Sequence, residues 1–283
     1  MTTSVQRHDE LVENIGRLPS CAVAFSGGVD SAVVARAAMQ ALGNRAVAVT
    51  GVSASLADGE LEIAGRIASA IGIRHETLAT DELSSPGYLR NEPGRCWHCK
   101  TELYSQLRRL ADRLGFEVLL NGANIDDQGD FRPGMQAARQ HDVRSPLIEC
   151  GIDKQGVRQI AQYWDLEVWD KPATPCLSSR VVYGLSITPE RLARIDAAEQ
   201  VLRGLGVVLA RVRYHHDDLA RLEIPVADLP RLCQGNTREL IVERFRKLGF
   251  RYVTLDLEGF RSGSFQQLIP TDELARYDGA KST

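Results

Sequence analysis

The 283-residue sequence has few cysteines and no long apolar run, and these absences exclude several classes of protein. Six cysteines make up about 2% of the chain, too few for a disulfide-stapled secreted fold. No segment approaches the roughly 20 apolar residues that span a bilayer, and the opening MTTSVQRHDELVENIGRLP has no apolar core of signal-peptide length. We therefore expect a cytoplasmic protein whose thiols stay reduced, bind metal or act as nucleophiles.

Charge of either sign is not in excess. The chain carries 34 basic and 37 acidic residues, for a net charge of -3. This balance produces no general field that attracts nucleic acid, so we do not expect nucleic acid as the partner. The hydrophobic fraction of 43% fits a globular protein of one or two domains, each with its own core.

The first half of the chain alternates short β-branched runs with amphipathic stretches, a pattern typical of a parallel sheet covered by helices. The predicted strands are 21–25, 45–50, 74–78, 117–121 and 166–169. The predicted helices are 29–42, 58–72, 100–114 and 154–164. Residues 1–180 are thus predicted to form an α/β domain built on a parallel sheet.

The composition changes at 171–180, KPATPCLSSR, where two prolines and three hydroxyl residues indicate a linker. The elements predicted beyond it are helices at 188–202 and 237–248 and strands at 207–214, 221–224 and 251–257. Helices and strands of this length predict a smaller α+β domain at 181–283.

A glycine-rich segment joins the first predicted strand to a helix: Ser26, Gly27, Gly28, Val29, Asp30 and Ser31. Glycines let backbone N–H groups approach an anion closely, and the helix N-terminus adds donors and a favourable dipole. The spacing matches neither a Walker A loop, which needs a lysine, nor a Rossmann dinucleotide loop. We interpret the loop as a phosphate-binding site; the simpler alternative is a tight turn capped by Ser26 or Asp30.

Another polar segment, Asn121-Gly-Ala-Asn-Ile-Asp-Asp, follows the fourth predicted strand. Ligands of open α/β sheets bind at this carboxyl edge. We expect Gly122 to let the backbone approach a nucleotide and Asp126 to reach a metal ion. The alternative is a turn rich in Asn and Asp.

Three cysteines occupy positions where chemistry is plausible. Cys96 and Cys99 form a C-x2-C pair that enters a helix, which alone fits half of a zinc site, a redox pair or chance. No second C-x2-C is present, which excludes a four-cysteine zinc ribbon. Proline, serines and Arg180 flank Cys176 and predict an exposed thiol in electropositive surroundings, the alternative being a small buried filler. The cysteines without such flanks, interpreted as structural, are Cys21, Cys150 and Cys233.

The loop SGGVDS resembles that of the PP-loop ATP pyrophosphatases, which hold the β,γ-pyrophosphate of ATP and transfer AMP to a substrate oxygen. Along nearly its whole length, the chain resembles the LarE-type ATP-dependent sulfur transferases. The other matching segments are RCWHCK (95–100), NGANIDDQGDFRPG (121–134), RSPL (144–147), KPATPCLSSR (171–180), RVRYH (211–215) and GFRSGS (259–264). The resemblance implies a PP-loop domain that uses ATP and Mg2+, with Asp30 helping to hold the metal, and a homo-oligomer, since related proteins form hexamers.

The resemblance also implies a small-molecule substrate, pyridinium-3,5-biscarboxylic acid mononucleotide, the precursor of the nickel-pincer cofactor of lactate racemase. A carboxylate would be adenylated and then converted to a thiocarboxylate. In one form of the family, the cysteine equivalent to Cys176 attacks the acyl-adenylate and gives up its sulfur, leaving dehydroalanine. In the other form, three cysteines hold a [4Fe-4S] cluster whose open iron carries an extra sulfide. The presence of Cys96, Cys99 and Cys176 favours the cluster form.

Arginines are the expected ligands of the substrate phosphate. Arg211 and Arg213 alternate on a predicted strand and face the same side, where their guanidinium groups suit a phosphate monoester. Arg261, in a Gly/Ser loop, is a third candidate, and the alternative is a solvated arginine face. The other residues that the resemblance places at the substrate are Trp97, Arg180, Glu199 and Glu223, although an aromatic residue beside a C-x2-C pair is as often only packing.

Two further functions remain open at this stage. A PP-loop enzyme that thiolates tRNA would be expected to have a stronger basic surface, and usually a lysine in the glycine loop, where this chain has Val29. A non-enzymatic nucleotide-binding module with the C-x2-C pair in a structural metal site would bind ATP without releasing pyrophosphate.

Overall fold

The computed structural model of the protein describes residues 4–128 and 133–261. By their contacts the residues group into two compact units. The first consists of Met1–Glu82 and Cys96–Thr174, and the second of Leu83–Arg95 and the chain from Pro175 onward. A short internal segment therefore belongs to the second unit. The domain division after residue 180 stays a prediction.

The helices and strands follow one another as expected for an α/β region and then an α+β region. The helices are α1 (Ser4–Gly16), α2 (Val29–Leu42), α3 (Glu60–Ile71), α4 (Pro86–Leu89), α5 (Arg95–Leu114), α6 (Pro133–Gln140), α7 (Pro146–Glu149), α8 (Lys154–Tyr163), α9 (Pro189–Gly204), α10 (Leu229–Leu232) and α11 (Gly235–Lys247). The strands are β1 (Cys21–Ala24), β2 (Ala46–Val52), β3 (Arg74–Ala79), β4 (Val118–Leu120), β5 (Arg211–His215), β6 (Leu219–Glu223) and β7 (Tyr252–Leu255).

The first unit contains a parallel sheet with strand order β3-β2-β1-β4. Side chains of β1 point alternately to two cores because successive residues of a strand face opposite sides. Cys21 and Val23 pack with α1, α2, α3 and α8, whereas Ala22 packs with α5 and α6. Helices therefore cover both faces of the sheet, and the predicted α/β class is confirmed.

The strand order of the parallel sheet indicates where a ligand would bind. The chain leaves β1 toward β2 on one side, and β4 pairs with β1 on the other side. In open α/β sheets, ligands bind at such a switch point, beyond the carboxyl ends of the two strands. The glycine loop follows β1 and the Asn121–Gly122 segment follows β4, so both lie at this edge.

The second unit contains a three-stranded sheet of order β5-β6-β7. β5 and β6 are antiparallel, with Arg211 opposite Glu223, while β6 and β7 are parallel. α9 begins after Thr188, whose side chain accepts a hydrogen bond from the backbone N of Arg191, with proline at the first turn, as the sequence predicts. The predicted α+β architecture is confirmed.

One predicted strand, 166–169, is wrong because the segment forms a turn. Leu166 and Val168 are buried, which gives the alternation of a strand. The backbone nevertheless bonds locally: Leu166 N donates to Ala161 O at 2.9 Å, and Trp169 N donates to Leu166 O at 3.1 Å. Burial of alternate residues thus arose here from a turn packed on the core.

Several boundaries also differ from the predictions. α5 begins at Arg95 rather than residue 100, which puts the C-x2-C pair in its first turn. β5 begins at Arg211 rather than residue 207. Within the described residues, no helix has the length and apolar character needed to cross a membrane.

Candidate active site

The glycine loop after β1 is held by its own hydroxyl groups. Ser31 Oγ donates to Gly28 O at 3.0 Å and accepts from Ser26 N at 3.3 Å. Ser26 Oγ accepts from Gly28 N at 3.3 Å. Gly28 is the N-cap of α2 and has no side chain to cover the first-turn N–H groups. The loop therefore presents a helix N-terminus suited to an anion.

Two glycines of the site are required by close packing. Gly27 has φ +68°, and a Cβ there would lie 3.0 Å from Ala64 Cα on α3. At Gly122 a Cβ would lie 2.8 Å from Ser31 N and 3.0 Å from the carbonyl carbon of Asp30. The backbone after β4 thus rests against the start of α2. Contact of Gly122 with a nucleotide stays a prediction.

Asp30 has a partner for each carboxylate oxygen. Lys154 Nζ lies 2.5 Å from Oδ2, and Asn124 Nδ2 donates to Oδ1 at 3.1 Å. Asn124 also caps the short 3-10 helix Ile125–Asp127, with Asp127 Oδ2 accepting from its backbone N. Asp126 Oδ2 accepts from Lys154 N at 3.0 Å. The loop aspartate is therefore connected to the segments after β4 and before α8.

These carboxylates fit Mg2+ by their chemistry. Mg2+ in nucleotide enzymes is commonly held by one or two carboxylates together with phosphate oxygens and waters. Asp30 is a quarter exposed, so its carboxylate is open to such a ligand. Over 4–128 and 133–261, no group of three or more His, Cys, Asp or Glu side chains is arranged to hold a metal ion.

A buried glutamate lies beyond β3. Glu82 is 2% exposed, and its Oε1 accepts from Ser53 Oγ at 2.5 Å and Ser55 Oγ at 2.6 Å. Ser53 and Ser55 follow β2, so this cluster fixes the turn at the carboxyl end of β2.

The C-x2-C pair lies in the first turn of α5. Cys96 is exposed and Cys99 partly buried, three residues apart and hence on neighbouring positions of one helix face. Trp97 between them donates its indole N–H to Gln140 Oε1 of α6 at 2.8 Å. In this structure, Trp97 packs within the first unit, and its role at the substrate stays a prediction.

Cys176 belongs to the second unit and is exposed, as its flanks predict. It precedes a short 3-10 helix, Leu177–Arg180. Arg180 is buried, and its Nη1 donates to the carbonyl of Cys176 at 3.0 Å and also to that of Pro175. The backbone around the thiol is therefore fixed while the thiol itself is open to solvent.

The internal segment of the second unit clamps this region. Asn91, fully buried, donates from Nδ2 to the carbonyls of Val182 at 2.8 Å and Leu185 at 2.9 Å. Arg95 donates to the carbonyl of Ser178 at 2.8 Å, and Tyr88 pairs with the Ser178 hydroxyl. Residues 83 to 94 positions apart along the chain thus form one hydrogen-bonded support for the helix after Cys176.

Four of the predicted substrate residues of the second unit form two buried ion pairs. Arg180 contacts Glu199 through Nε at 3.0 Å and Nη2 at 3.3 Å, and Glu199 also accepts from Val212 N. Arg213 Nη2 contacts Glu223 Oε2 at 2.7 Å. Such burial differs from the solvated arginine face that was the simpler alternative.

Arg211 and Arg261 extend this group. The guanidinium of Arg211 lies 4.9 Å from the ring centroid of Phe260. Burial, together with the positive charges of Arg180 and Arg213, lowers the pKa of Arg211 to about 10. Arg261 contacts Glu258 at 2.6 Å. The structure thus gathers five of the predicted substrate residues, Arg180, Glu199, Arg211, Arg213 and Glu223, in one unit, with Arg261 beside Asp256.

The three cysteines are distributed over the two units. Cys96 and Cys99 fall in the first and Cys176 in the second, so neither unit by itself contains three of these thiols. Thiolate ligands suit an iron-sulfur cluster chemically, but two of them on one helix turn are not a complete site.

Comparison with known proteins settles the family. No family model matches the chain. It is 46% identical to an uncharacterized protein of Synechocystis sp., over 92% of this chain and 97% of that protein. It is 36% identical to the pyridinium-3,5-bisthiocarboxylic acid mononucleotide synthase of Lactiplantibacillus plantarum, over 98% of this chain and 100% of the synthase. The chain belongs to the LarE-type family of ATP-dependent sulfur transferases.

A more distant relative agrees with the LarE-type assignment. The glutamine-hydrolyzing GMP synthase of Aeropyrum pernix is 29% identical over 69% of this chain and 42% of that protein. The α/β unit is accordingly a PP-loop domain, and the expected family and enzyme class are confirmed.

Sequence reasoning missed several residues of this LarE-type chain. Lys154 and Asn124 hold Asp30, and Asp256 pairs with Arg221 at 3.0 Å beside the predicted arginines. The sequence did predict a helix beginning at residue 154, and Asp153 is its N-cap. Nothing in the sequence indicates which distant carboxylate that lysine reaches.

Proposed function

We propose that the protein catalyses ATP-dependent sulfur transfer to pyridinium-3,5-biscarboxylic acid mononucleotide, in the biosynthesis of the nickel-pincer cofactor of lactate racemase. The observation that carries this proposal is the match over 98% of the chain to a synthase named for the bisthiocarboxylic acid product. The glycine loop at the switch point and the exposed Cys176 support it, because adenylation needs the first and sulfur chemistry the second.

The first step is adenylation of a substrate carboxylate. The loop Ser26–Ser31 binds the β- and γ-phosphates of ATP through backbone N–H groups, and Asp30 helps hold Mg2+. A carboxylate oxygen of the substrate attacks the α-phosphorus, and the bond to the β-phosphate oxygen breaks. Pyrophosphate leaves, and the carboxylate becomes a mixed anhydride with AMP.

The second step is attack on this anhydride by sulfur. In the sacrificial route the Cys176 thiolate forms a thioester and expels AMP. Loss of the Cys176 Hα as a proton and cleavage of its Cβ–S bond then yield the thiocarboxylate and leave dehydroalanine. The exposure of Cys176 and its fixed backbone support this role, because the thiol can meet a bulky acyl-adenylate in one orientation.

The alternative to sacrifice of Cys176 is a [4Fe-4S] cluster held by Cys96, Cys99 and Cys176 as the sulfur source. Such a cluster, with three protein thiolates, would supply an extra sulfide on its open iron and leave the polypeptide unchanged. The presence of all three cysteines in the sequence favours this source. The role of this chain's own residues is then to supply the thiolates.

The substrate phosphate is proposed to bind among Arg211, Arg213 and Arg261. Burial makes Arg211 and Arg213 strong partners for an anion, since the interaction is screened less than in water. Arg261 is partly exposed and can reach the anion from the solvent side. Glu199 and Glu223 hold the neighbouring arginines in place. Arg180 and Trp97 complete the proposed substrate contacts.

The deciding experiment is anaerobic purification with iron and sulfide analysis, and intact mass before and after reaction with ATP and the biscarboxylated nucleotide. Bound iron and sulfide with unchanged protein mass would support the cluster. Loss of the elements of hydrogen sulfide from the polypeptide would support sacrifice of Cys176. Pyrophosphate release without any thiocarboxylate product would contradict the proposed function. Sulfur transfer to tRNA would instead support the alternative function, a PP-loop enzyme that thiolates tRNA.

We also propose a homo-oligomer, hexameric by family resemblance, that works in the cytoplasm. Light scattering during size-exclusion chromatography measures the assembly directly. A monomer at micromolar concentration would contradict this part of the proposal.

A further inference from the structure

Three buried polar side chains of the internal segment 83–95 face the residues that follow Cys176. Tyr88, Asn91 and Arg95 are 1%, 0% and 5% exposed and belong to the same unit as Cys176. Burial of polar groups is unfavourable unless they are hydrogen-bonded, and a fully bonded network makes its surroundings rigid. The partners of these three side chains therefore show what the segment holds in place.

Asn91 holds three carbonyl groups of the chain that follows Cys176. Its Nδ2 donates to Val181 O at 3.3 Å, to Val182 O at 2.8 Å and to Leu185 O at 2.9 Å. The backbone of Asn91 lies in the left-handed region, with φ +53°, which is uncommon except for Gly, Asn and Asp. An unusual backbone conformation therefore aims one amide group at all three carbonyls.

Ser178, two residues after Cys176, is held at its carbonyl and at its hydroxyl. Arg95 Nη1 donates to Ser178 O at 2.8 Å and to Asn91 Oδ1 at 2.5 Å. Tyr88 pairs its hydroxyl with that of Ser178, which is fully buried. The contact with Arg95 also orients the Asn91 amide, because Oδ1 must face the guanidinium donor. The three side chains therefore form one network on the residues after Cys176.

The support of the Cys176 thiol lies on this side of the chain. Residues 172–176 are all exposed, whereas Leu177 and Ser178 are buried. A thiol on an exposed segment keeps one orientation only if the buried residues beside it do not move. Attack on an acyl-adenylate, or ligation of a cluster iron, needs the sulfur to be placed within about 0.5 Å. The network therefore acts on the group that the sulfur chemistry uses.

We propose that Asn91 is a positioning residue for Cys176 and acts with Tyr88 and Arg95 to orient the sulfur for the transfer step. This inference rests on the proposed sulfur transfer. Adenylation uses the glycine loop after β1, which belongs to the first unit. Loss of the network should therefore uncouple the two steps: pyrophosphate is still released, but the thiocarboxylate forms slowly. None of the three side chains makes or breaks a covalent bond.

The test uses the full-length protein with the substitutions Asn91→Gly and Tyr88→Phe. Glycine keeps the left-handed backbone and removes the amide, whereas phenylalanine removes only the hydroxyl. Single-turnover reactions with ATP and the biscarboxylated nucleotide measure pyrophosphate and thiocarboxylate together. We expect Asn91→Gly to form the thiocarboxylate at least about tenfold more slowly, because small misplacements of reacting groups are costly. Pyrophosphate release should not change, and Tyr88→Phe should show a smaller loss of the same kind.

A matched control is Asp165→Gly. Asp165 also has a left-handed backbone, with φ +51°, but it is exposed in the turn after α8. Both products should form at the rates of the unsubstituted protein. Thermal melting of each variant checks that it is folded, and Tyr88→Phe, which deletes one oxygen atom, keeps the test decisive if Asn91→Gly is unstable.

Two outcomes would overturn the inference. An unchanged rate of thiocarboxylate formation in folded Asn91→Gly would show that the network does not place the sulfur. Equal losses of pyrophosphate release and thiocarboxylate formation would show that the network serves only the general stability of the fold. Failure of the proposed sulfur transfer would appear separately, as an unsubstituted protein that makes no thiocarboxylate.

Discussion

Arg213 and Glu223 form an ion pair in which the two side chains are only 2% and 0% exposed. The same carboxylate contacts Arg221 through its other oxygen at 3.1 Å. Removing one partner from a buried pair leaves the other charge without compensation, which costs more than the pair itself contributes. The arginines proposed to bind the substrate therefore depend on buried carboxylates for their own placement.

The first prediction follows from this pair. Glu223→Gln should lower the free energy of unfolding by about 3 kcal/mol, because Arg213 and Arg221 then face a neutral group in a buried site. The matched control is Glu243→Gln, whose partner Lys247 is exposed, and there the change should stay within about 0.5 kcal/mol. Urea denaturation measures both; equal losses would contradict the structural role of Glu223.

A second prediction concerns the backbone contact between the two loops at the sheet edge. Gly122→Ala places a Cβ 2.8 Å from Ser31 N, and backbone atoms there cannot move without displacing the start of α2. Pyrophosphate release should fall at least about tenfold, since small displacements of a catalytic site are costly. The control Gly204→Ala introduces a Cβ with no neighbour within 4 Å and should keep full activity. Normal release from Gly122→Ala would show that the contact is not needed.

The third prediction separates the two chemical steps. Cys176→Ala should still release pyrophosphate from ATP with the nucleotide substrate but form no thiocarboxylate, since the loop that adenylates is intact. The control Cys233→Ala, which removes another exposed thiol, should release pyrophosphate and form the thiocarboxylate. Product mass and pyrophosphate are measured together, and sulfur transfer by Cys176→Ala would remove Cys176 from the proposed mechanism.

A fourth prediction ranks the thiols by reactivity. Burial raises the pKa of Cys21 to about 12 and that of Cys150 to about 11, and the thiolate is the reactive form. Iodoacetamide at pH 8 should therefore modify the exposed Cys96, Cys176 and Cys233 well before Cys21 and Cys150. Peptide mass mapping over time gives the order, and early labelling of Cys21 would contradict its burial in β1.

The fifth prediction is a pH dependence of stability. Burial, followed by the charges of Arg221 and His216, lowers the pKa of His215 from 6.5 to about 4. Between pH 6.5 and pH 4, His215 is protonated in the unfolded chain but neutral in the folded chain. The contribution of His215 to the free energy of unfolding is therefore complete above pH 6.5 and falls as the pH drops toward 4.

The variant His215→Gln removes the titrating group and tests this pH dependence. The loss of stability between pH 7 and pH 4.5, measured by urea denaturation, should be smaller in the variant than in the unsubstituted protein. Identical slopes against pH would show that other groups account for the whole effect.

Local patterns predicted much of the fold. The strand-loop-helix unit around SGGVDS was found because glycines, a buried apolar run and an alanine-rich helix are adjacent in the sequence. The helix after Thr188 was found because its cap and proline are local signals. The turn at 166–169 was mistaken for a strand because alternating burial also arises where a turn packs on a core.

The partners of the site residues were not predictable in the same way. Asp30 and Lys154 are separated by 124 positions, and Tyr88 and Ser178 by 90. A carboxylate in the sequence does not specify which of many lysines or arginines will approach it, since that depends on the packing of whole elements. The roles of the arginines at the substrate, and of the three cysteines, stay predictions.

The sequence by itself determined the glycine loop between β1 and α2, the α/β and α+β regions and the exposure of Cys176, because each rests on neighbouring residues and their periodicity. The interpretation of Cys233 as structural was wrong in its expected burial, since its thiol is exposed. Only the tertiary structure decided that Asp30 faces Lys154 and Asn124, that Gly122 must lack a side chain, and that Arg213 of β5 is buried against Glu223. These features come from segments far apart in the chain that pack at one sheet edge or in one core, where burial fixes the pairing of charges.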